Sequence, residues 1–189
     1  MSKSFHEHKL KHLFHMLDAN RDGRVSREDY DEIANRVAIL ADIAPGSDSH
    51  SQMVESFRNI WNVVSQLAGV EATGQVTVDR FIPAYTKWLS NRDAVIPMLG
   101  KVMQATMGFM AKGDDWTITR REWLVNKFAW NMNYIDANAA FDRLDRNRDG
   151  LLQRSEMLTN LEEFLFSEDP EALGNWFFGP LAPVSAAAK

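Results

Sequence analysis

Acidic and amide side chains recur at fixed intervals in the stretch 145–156 of this 189-residue chain. Oxygen-bearing side chains stand at positions 1, 3, 5 and 12 of the stretch, and Gly150 stands at position 6, where the chain must turn through φ > 0. A hard cation such as Ca²⁺ takes six to eight oxygen ligands. The predicted ligands are Asp145, Asn147, Asp149, the backbone carbonyl of Leu151, and Glu156. Because Glu156 can bind with both oxygens, this spacing predicts a calcium site.

The same spacing occurs in residues 18–29, with Gly23 at position 6. Here the predicted ligands are Asp18, Asn20, Asp22, the backbone carbonyl of Arg24, and Asp29. Asp29 is one methylene shorter than the glutamate at the end of the other loop. It therefore reaches an ion more easily with one oxygen than with two, which favours Mg²⁺ or weaker Ca²⁺ binding. We expect the loop 145–156 to bind Ca²⁺ more tightly.

Apolar residues at helical spacing flank both loops. Before and after the first loop they are Leu10, Leu13, Phe14, Leu17, Tyr30, Ile33, Ala34 and Val37; around the other they are Ala137, Ala140, Phe141, Leu144, Met157, Leu161 and Phe164. A helix, a twelve-residue loop and a second helix form an EF-hand. Because the whole pattern occurs twice, two unrelated polar turns are a poor explanation of it.

Two further stretches resemble weakened copies of this loop. Residues 69–80 keep a glycine at position 6 but begin with Gly69 and end with Arg80, whose guanidinium has no lone pair for a cation. Residues 111–122 keep Glu122 but have Ala111 at position 1 and Trp116 at position 6. We expect the second loop to bind no cation. The third is also predicted to be cation-free, although Asp114, Asp115 and Glu122 leave weak binding open.

The four units predict an all-α fold with two paired lobes packed compactly together. The first pair spans 1–90, the second spans 91–166, and a tail spans 167–189. EF-hand loops pair through position 8, so short β-bridges should join Val25 to Val76 and Ile118 to Leu152. The apolar run Trp176–Phe178 should fold back into a groove between the lobes, because exposure to water would be costly.

The chain resembles the sarcoplasmic calcium-binding proteins, which include calexcitins and calerythrin-like bacterial relatives. The resemblance rests on the four units and on the tail, where Asp169-Pro170 precedes Gly174-Asn175-Trp176-Phe177-Phe178-Gly179. It implies a compact, monomeric Ca²⁺/Mg²⁺-binding protein with two or three active loops. The altered third loop departs from that pattern. Luciferin-binding relatives share the scaffold, but their three active loops are not recognisable here.

Composition limits the other functions. A hydrophobic content of 45% indicates an ordered globular protein, and a formal net charge of −5 argues against a nucleic-acid partner. No apolar run is long enough for a transmembrane helix, and the absence of cysteine removes disulfides and thiol chemistry. The carboxylates are accounted for as cation ligands, so no enzymatic activity is expected. A cytoplasmic protein fits these features best.

Three alternatives remain at this point. The leading hypothesis is a protein that buffers Ca²⁺ in competition with Mg²⁺, and the second is a sensor that exposes a Met- and Trp-rich groove to a protein target. The third is a carrier of an apolar small molecule, which an internal void lined by Trp61, Trp88, Met107 and Trp130 would support. His8, His12 and His15 share one face of the first helix. A solvated polar face explains them better than a transition-metal site.

Overall fold

The computed structural model describes residues 3–108 and 116–181, which form eight α-helices and four short strands in these ranges. The order of elements is α1 (Lys3–Leu17), β1 (Arg24–Ser26), α2 (Arg27–Leu40), α3 (Asp48–Leu67), β2 (Gln75–Thr77), α4 (Val78–Leu89), α5 (Arg92–Met107), β3 (Thr117–Thr119), α6 (Arg120–Ala129), α7 (Tyr134–Leu144), β4 (Leu151–Gln153) and α8 (Arg154–Phe166). A 3₁₀-helix, Leu173–Trp176, follows in the tail.

The last carboxylate of each intact loop caps the start of the helix that follows the loop. In the first loop, the backbone N–H of Ser26 donates to Asp29 Oδ2 at 2.8 Å. In the fourth loop, the N–H of Gln153 donates to Glu156 Oε2 at 3.1 Å. Each carboxylate satisfies a donor at the start of the helix, where no helical carbonyl is available. The loop and the start of the helix are thus one hydrogen-bonded unit.

Two antiparallel β-bridges join the loops in the predicted pairs. Strand β1 pairs with β2, and Val25 lies opposite Val76. Strand β3 pairs with β4, and Ile118 lies opposite Leu152. All four of these side chains are fully buried, so each bridge also contributes to the core. Both predicted registers are confirmed.

One continuous hydrophobic core runs through both halves of the chain. Helix α2 packs against α3 and against α6, while α5 packs against α3, α4 and α8. Leu89 and Val95, on either side of the short α4–α5 connection, are both buried in this core. The compact arrangement of four helix–loop–helix units is therefore confirmed. No helix in the described part of the chain is long and apolar enough to cross a membrane.

The tail folds back onto α1 and α6, as its apolar sequence predicts. Phe177 and Phe178 are buried, and the ring of Phe178 packs edge-on against Phe164 of α8. The Nε2 atom of His12 lies 2.7 Å from the carbonyl oxygen of Phe178, so this nitrogen donates a hydrogen bond to it. The ammonium group of Lys9 donates to the carbonyl of Ser167 at 2.9 Å. Apolar burial and polar contacts such as these together hold the tail.

Replacement of Phe178 by alanine should undock this tail. Truncation of a buried phenylalanine costs roughly 3–5 kcal/mol. We expect chemical denaturation of Phe178→Ala to show a loss of that order, with increased binding of an apolar dye. Phe128→Ala serves as a control, because Phe128 is 37% exposed and lies outside the tail. Equal losses from the two variants would contradict the proposed role of Phe178 in docking.

Candidate functional site

The acidic side chains of the first loop are held by the backbone of that loop. The N–H groups of Asp22 and Gly23 donate to the two carboxylate oxygens of Asp18 at 3.1 and 2.9 Å. The N–H of Asp22 also donates to Asn20 Oδ1 at 2.8 Å, and the N–H of Arg24 donates to Asp22 Oδ1 at 2.9 Å. These bonds bring positions 1, 3 and 5 of the loop to one side of a tight turn.

The fourth loop repeats this network bond for bond. The N–H groups of Asp149 and Gly150 donate to the two oxygens of Asp145 at 3.2 and 2.9 Å. The N–H of Asp149 donates to Asn147 Oδ1 at 2.9 Å, and the N–H of Leu151 donates to Asp149 Oδ1 at 2.9 Å. An aspartate and a glycine five residues apart therefore produce the same turn in both halves of the chain.

Left-handed backbone conformations make these turns possible. Gly23 has a φ of +82° and Gly150 a φ of +83°, and a Cβ atom built on either would meet nothing within 4 Å. The glycines are needed for their backbone conformation and not for space. Arg21 and Arg148, at position 4 of the two loops, also have positive φ values, 61° and 59°. The two loops thus share their backbone geometry as well as their side chains.

The carboxylate at position 12 closes each loop. Asp29 Oδ1 accepts the N–H of Ala19 at 3.1 Å and of Asn20 at 3.3 Å. Glu156 Oε1 accepts the equivalent N–H groups of Arg146 and Asn147 at 3.2 and 3.4 Å. Asp29 performs the same closure with a shorter side chain, and it is almost completely buried.

The donor chemistry of both loops suits a hard cation. Asp18 and Asp145 are buried carboxylates, and an ionised carboxylate has about four acceptor positions, of which the backbone N–H groups occupy only some. Among residues 3–108 and 116–181, however, no group of three or more His, Asp or Glu side chains is placed so that it could hold a metal ion. The assignment of the ten ligand positions therefore stays a prediction.

The two loops differ at position 9. In the fourth loop, Gln153 Nε2 donates to Asp149 Oδ2 at 3.1 Å, so the position-9 side chain reaches the position-5 carboxylate. In the first loop, the hydroxyl of Ser26 donates instead to Asp29 Oδ2 at 2.8 Å. Ser26 is too short to take the place that Gln153 takes. The position-9 side chain therefore contacts the position-5 carboxylate in the fourth loop and the position-12 carboxylate in the first.

Arg146, at position 2 of the fourth loop, is turned away from the predicted ligands. Its guanidinium lies 2.6 Å from Glu163 and donates to Asn160 Oδ1 at 2.7 Å. This arginine therefore does not stand unpaired beside the loop carboxylates. Because Glu163 compensates its charge, Arg146 opposes cation binding less than its position suggests.

The second loop has lost the geometry of the intact loops. Gly74 does not have the positive φ of Gly23 and Gly150; the left-handed residue is instead Gly69 at position 1, with φ +65°. The N–H of Gly74 donates to the carbonyl of Glu71 in a tight turn. No carboxylate stands at position 1 or 12. This geometry agrees with a loop that serves only as the β-bridge partner.

The third loop is described only from Trp116 onward, so Ala111, Asp114 and Asp115 lie outside the described residues. Trp116 is buried, and its indole N–H donates to Gln104 Oε1 at 2.8 Å. Glu122 Oε2 accepts the N–H of Thr119 at 2.8 Å. A core tryptophan replaces the glycine of the intact loops, while Glu122 caps α6.

The histidines of α1 do not form one solvated face. His15 is exposed, but His12 is half-buried and donates to the tail carbonyl of Phe178. Burial lowers the pKa of His12, against a smaller opposing effect of that hydrogen bond. The expectation of a merely solvated face is therefore wrong for His12, whose role is to hold the tail.

A cavity of about 100 Å³ lies inside the hydrophobic core. The cavity is lined by three of the four residues that the sequence suggested: Trp88, Met107 and Trp130. Trp61 does not line it; this residue is fully buried elsewhere, and its indole N–H donates to the carbonyl of Ala72 at 2.7 Å. Phe177 and Phe178 of the tail form part of the wall.

Lys127 of α6 is a cavity residue that the sequence analysis missed. Its side chain is fully buried, and its ammonium nitrogen lies 4.2 Å from the ring centroid of Trp123 and 4.4 Å from that of Phe177. Burial lowers the pKa of Lys127 to about 7. A signal was present in the sequence: Lys127 follows Trp123 by four residues and precedes Trp130 by three, so all three share one helical face.

Comparison with known proteins agrees with the two networks. A sequence profile described as EF hand matches residues 10–34 and 135–161, which contain the first and fourth loops. These two stretches of the chain are EF-hand units. Neither match includes the second or third loop, the two whose ligand positions are altered. The profile thus recognises the two units that the ligand spacing singled out.

Similar proteins cover nearly the whole length of the chain. Calerythrin from Saccharopolyspora erythraea is 26% identical over 177 residues, which is 92% of this chain and 100% of that protein. The luciferin-binding protein of Renilla reniformis is 26% identical over 182 residues, or 95% and 96% of the two chains. The resemblance to calerythrin-like proteins is confirmed.

A solved structure shows the same fold. The coelenterazine-binding protein from Renilla muelleri, in its Ca-loaded apo form, superimposes with a TM-score of 0.78 at 24% identity. The match covers 94% of this chain and 97% of that one. The all-α arrangement predicted from the four units is therefore shared along the whole length of both proteins.

Replacement of Lys127 by methionine should stabilise the protein in a pH-dependent way. The folded-state pKa is about 7 against an ordinary 10.5, so folding penalises the protonated amine. That penalty is complete below pH 7 and is relieved as the pH rises toward 10.5. We expect the stability gain of Lys127→Met to be largest at or below neutral pH and to shrink by about 1.4 kcal/mol per pH unit above it.

Urea unfolding at a series of pH values measures this effect. Lys101→Met is the matched control, because Lys101 is an exposed lysine of α5. Its unfolding free energy should stay close to that of the wild type at every pH. A gain from Lys127→Met that does not change with pH would contradict the lowered pKa.

Proposed function

We propose that this EF-hand protein binds Ca²⁺, in competition with Mg²⁺, through the loops 18–29 and 145–156. The supporting observation is the hydrogen-bond network around Asp18 and Asp145, which is repeated bond for bond in the two loops. The residues that would hold the ion are Asp18, Asn20, Asp22, Arg24 and Asp29 in the first loop, and Asp145, Asn147, Asp149, Leu151 and Glu156 in the fourth. The oxygen ligands compensate the ion's charge when it is bound.

Buffering is favoured over sensing by the position of the tail. Phe177 and Phe178 are buried against α6, α8 and each other, where a target helix would have to dock. A sensor exposes such a groove when Ca²⁺ binds. We therefore infer a closed, monomeric, cytoplasmic calcium buffer without enzymatic activity. A protein target remains the alternative that release of the tail would support.

Calorimetric titration of the cation-stripped protein tests the number of sites. We expect two Ca²⁺ sites in the wild type, and one in either Asp29→Asn or Glu156→Gln, because each change removes the closing carboxylate of one loop. Glu122→Gln is the matched control in the third loop and should leave two sites. A third site, or the loss of a site in Glu122→Gln, would overturn the assignment of two active loops.

Lengthening Asp29 should make the first site more selective for Ca²⁺. Glu156 shows that a glutamate at position 12 can accept the same backbone N–H groups as Asp29. Glutamate can add a second oxygen to the ion, and Ca²⁺ accepts the higher coordination that Mg²⁺ does not. We expect Asp29→Glu to tighten Ca²⁺ binding at the first loop and to weaken competition by Mg²⁺. Calorimetry with and without Mg²⁺ measures both effects, and an unchanged Mg²⁺ competition would count against this explanation.

A second candidate function is the carriage of an apolar small molecule. The observation in its favour is the cavity, and a relative named for binding luciferin is 26% identical over almost the whole chain. The apolar cavity is smaller than the engineered one of about 150 Å³ that binds benzene. We expect a small neutral ligand such as pentan-1-ol to bind weakly, and calorimetry measures this binding. The absence of any such binding would leave calcium binding as the only function proposed.

A further inference from the structure

The polar groups of the cavity are strongly unbalanced toward hydrogen-bond donors. Apart from Lys127, the described residues that line it are aliphatic, aromatic or methionine side chains. The only polar atoms that these contribute are the hydroxyls of Tyr30 and Tyr85 and the indole nitrogens of Trp88 and Trp130. A tryptophan N–H and a protonated lysine donate only, and a tyrosine hydroxyl can donate or accept. No carboxylate, amide or imidazole side chain lines the described part of the cavity.

Lys127 has no ionic partner in the parts of the chain that the structure describes. Its ammonium nitrogen contacts the faces of Trp123, Phe177 and Phe178, at 4.2, 4.4 and 5.2 Å from the ring centroids. Ring faces attract a cation, but each such contact is weaker than a buried contact with an anion. A buried charge without an anionic partner is unfavourable. When it is protonated, this amine therefore carries a charge that no acidic side chain in the described residues neutralises.

One more cavity group lacks a partner. The indole Nε1 of Trp130 is buried, and nothing in residues 3–108 or 116–181 forms a hydrogen bond with it. Leaving a buried polar group unpaired is unfavourable. Trp130, which directly follows α6, lines the same cavity as Lys127 of that helix. One acceptor placed in the cavity could therefore interact with both groups.

We propose that the cavity binds a small apolar molecule that carries one carboxylate, with Lys127 as the residue that neutralises it. This proposal deepens the carrier function and rests on it. An ionised carboxylate only accepts hydrogen bonds, so it complements a cavity whose polar groups are donors. A neutral carbonyl would accept a hydrogen bond but leave the lysine charge uncompensated. A cationic ligand would be repelled.

The size of the cavity limits the apolar part of this ligand. At about 100 Å³ the cavity has space for a chain of a few carbon atoms or a compact ring. Phe177 and Phe178 form part of the wall, so a longer ligand would have to displace the tail. A short-chain carboxylate such as pentanoate fits both the donors and the volume.

Calorimetry of the full-length, Ca²⁺-loaded protein with pentanoate, pentan-1-ol and pentylamine tests the proposal. We expect the wild type to bind pentanoate most tightly and pentylamine least. Lys127→Met should weaken pentanoate binding by at least about 30-fold, because one partner of a buried charge pair is removed. It should leave pentan-1-ol binding unchanged or stronger. Lys101→Met, on the exposed side of α5, should behave like the wild type.

A second measurement locates the interaction. The ¹³Cε resonance of Lys127, assigned by its absence in Lys127→Met, should shift on addition of pentanoate and not on addition of pentylamine. Equal binding of pentanoate and pentan-1-ol, unaffected by Lys127→Met, would overturn the carboxylate proposal while leaving the carrier function standing. Failure of all three probes to bind the wild type would overturn both.

Discussion

The backbone N–H groups that converge on acidic side chains are the constraint on which the rest of the structure depends. Asp18 and Asp145 each accept two such N–H groups. Asp29 and Glu156, in the first turn of the following helix, accept N–H groups from the start of their loops. The directions of α1, α2, α7 and α8 follow from these closures.

The parts of the fold that depend on local spacing could be predicted from the sequence. Position 8 of each loop identified the bridge residues Val25, Val76, Ile118 and Leu152. A shift of one residue in either pair would turn its two buried side chains to the opposite face of the bridge. The tail was predictable for a simpler reason: Trp176–Phe178 has too much apolar surface to remain in water. Both inferences use properties that a short segment carries by itself.

The parts that depend on tertiary contacts were not predictable in the same way. The helical spacing of Lys127 shows that it shares a face with two tryptophans, but it does not show whether a carboxylate from another element meets it. His12 likewise stands among polar neighbours on α1, and only the path of the tail brings the Phe178 carbonyl to it. Trp61 and Trp88 occupy similar positions in the sequence pattern, yet only Trp88 borders the cavity.

Contacts at the carbonyl of Ala19 have a consequence for how the chain can be divided. This carbonyl, at position 2 of the first loop, accepts from Asn131 Nδ2 at 3.3 Å and from Arg36 at 3.4 Å, and Arg36 also donates to Asn131 Oδ1 at 2.7 Å. Asn131 follows α6 in the second half of the chain. A fragment that ended near residue 90 would lose one donor to this carbonyl and would expose the α2 surface that packs against α6. The two halves are therefore not interchangeable modules: the first loop takes part of its framework from the half that follows it.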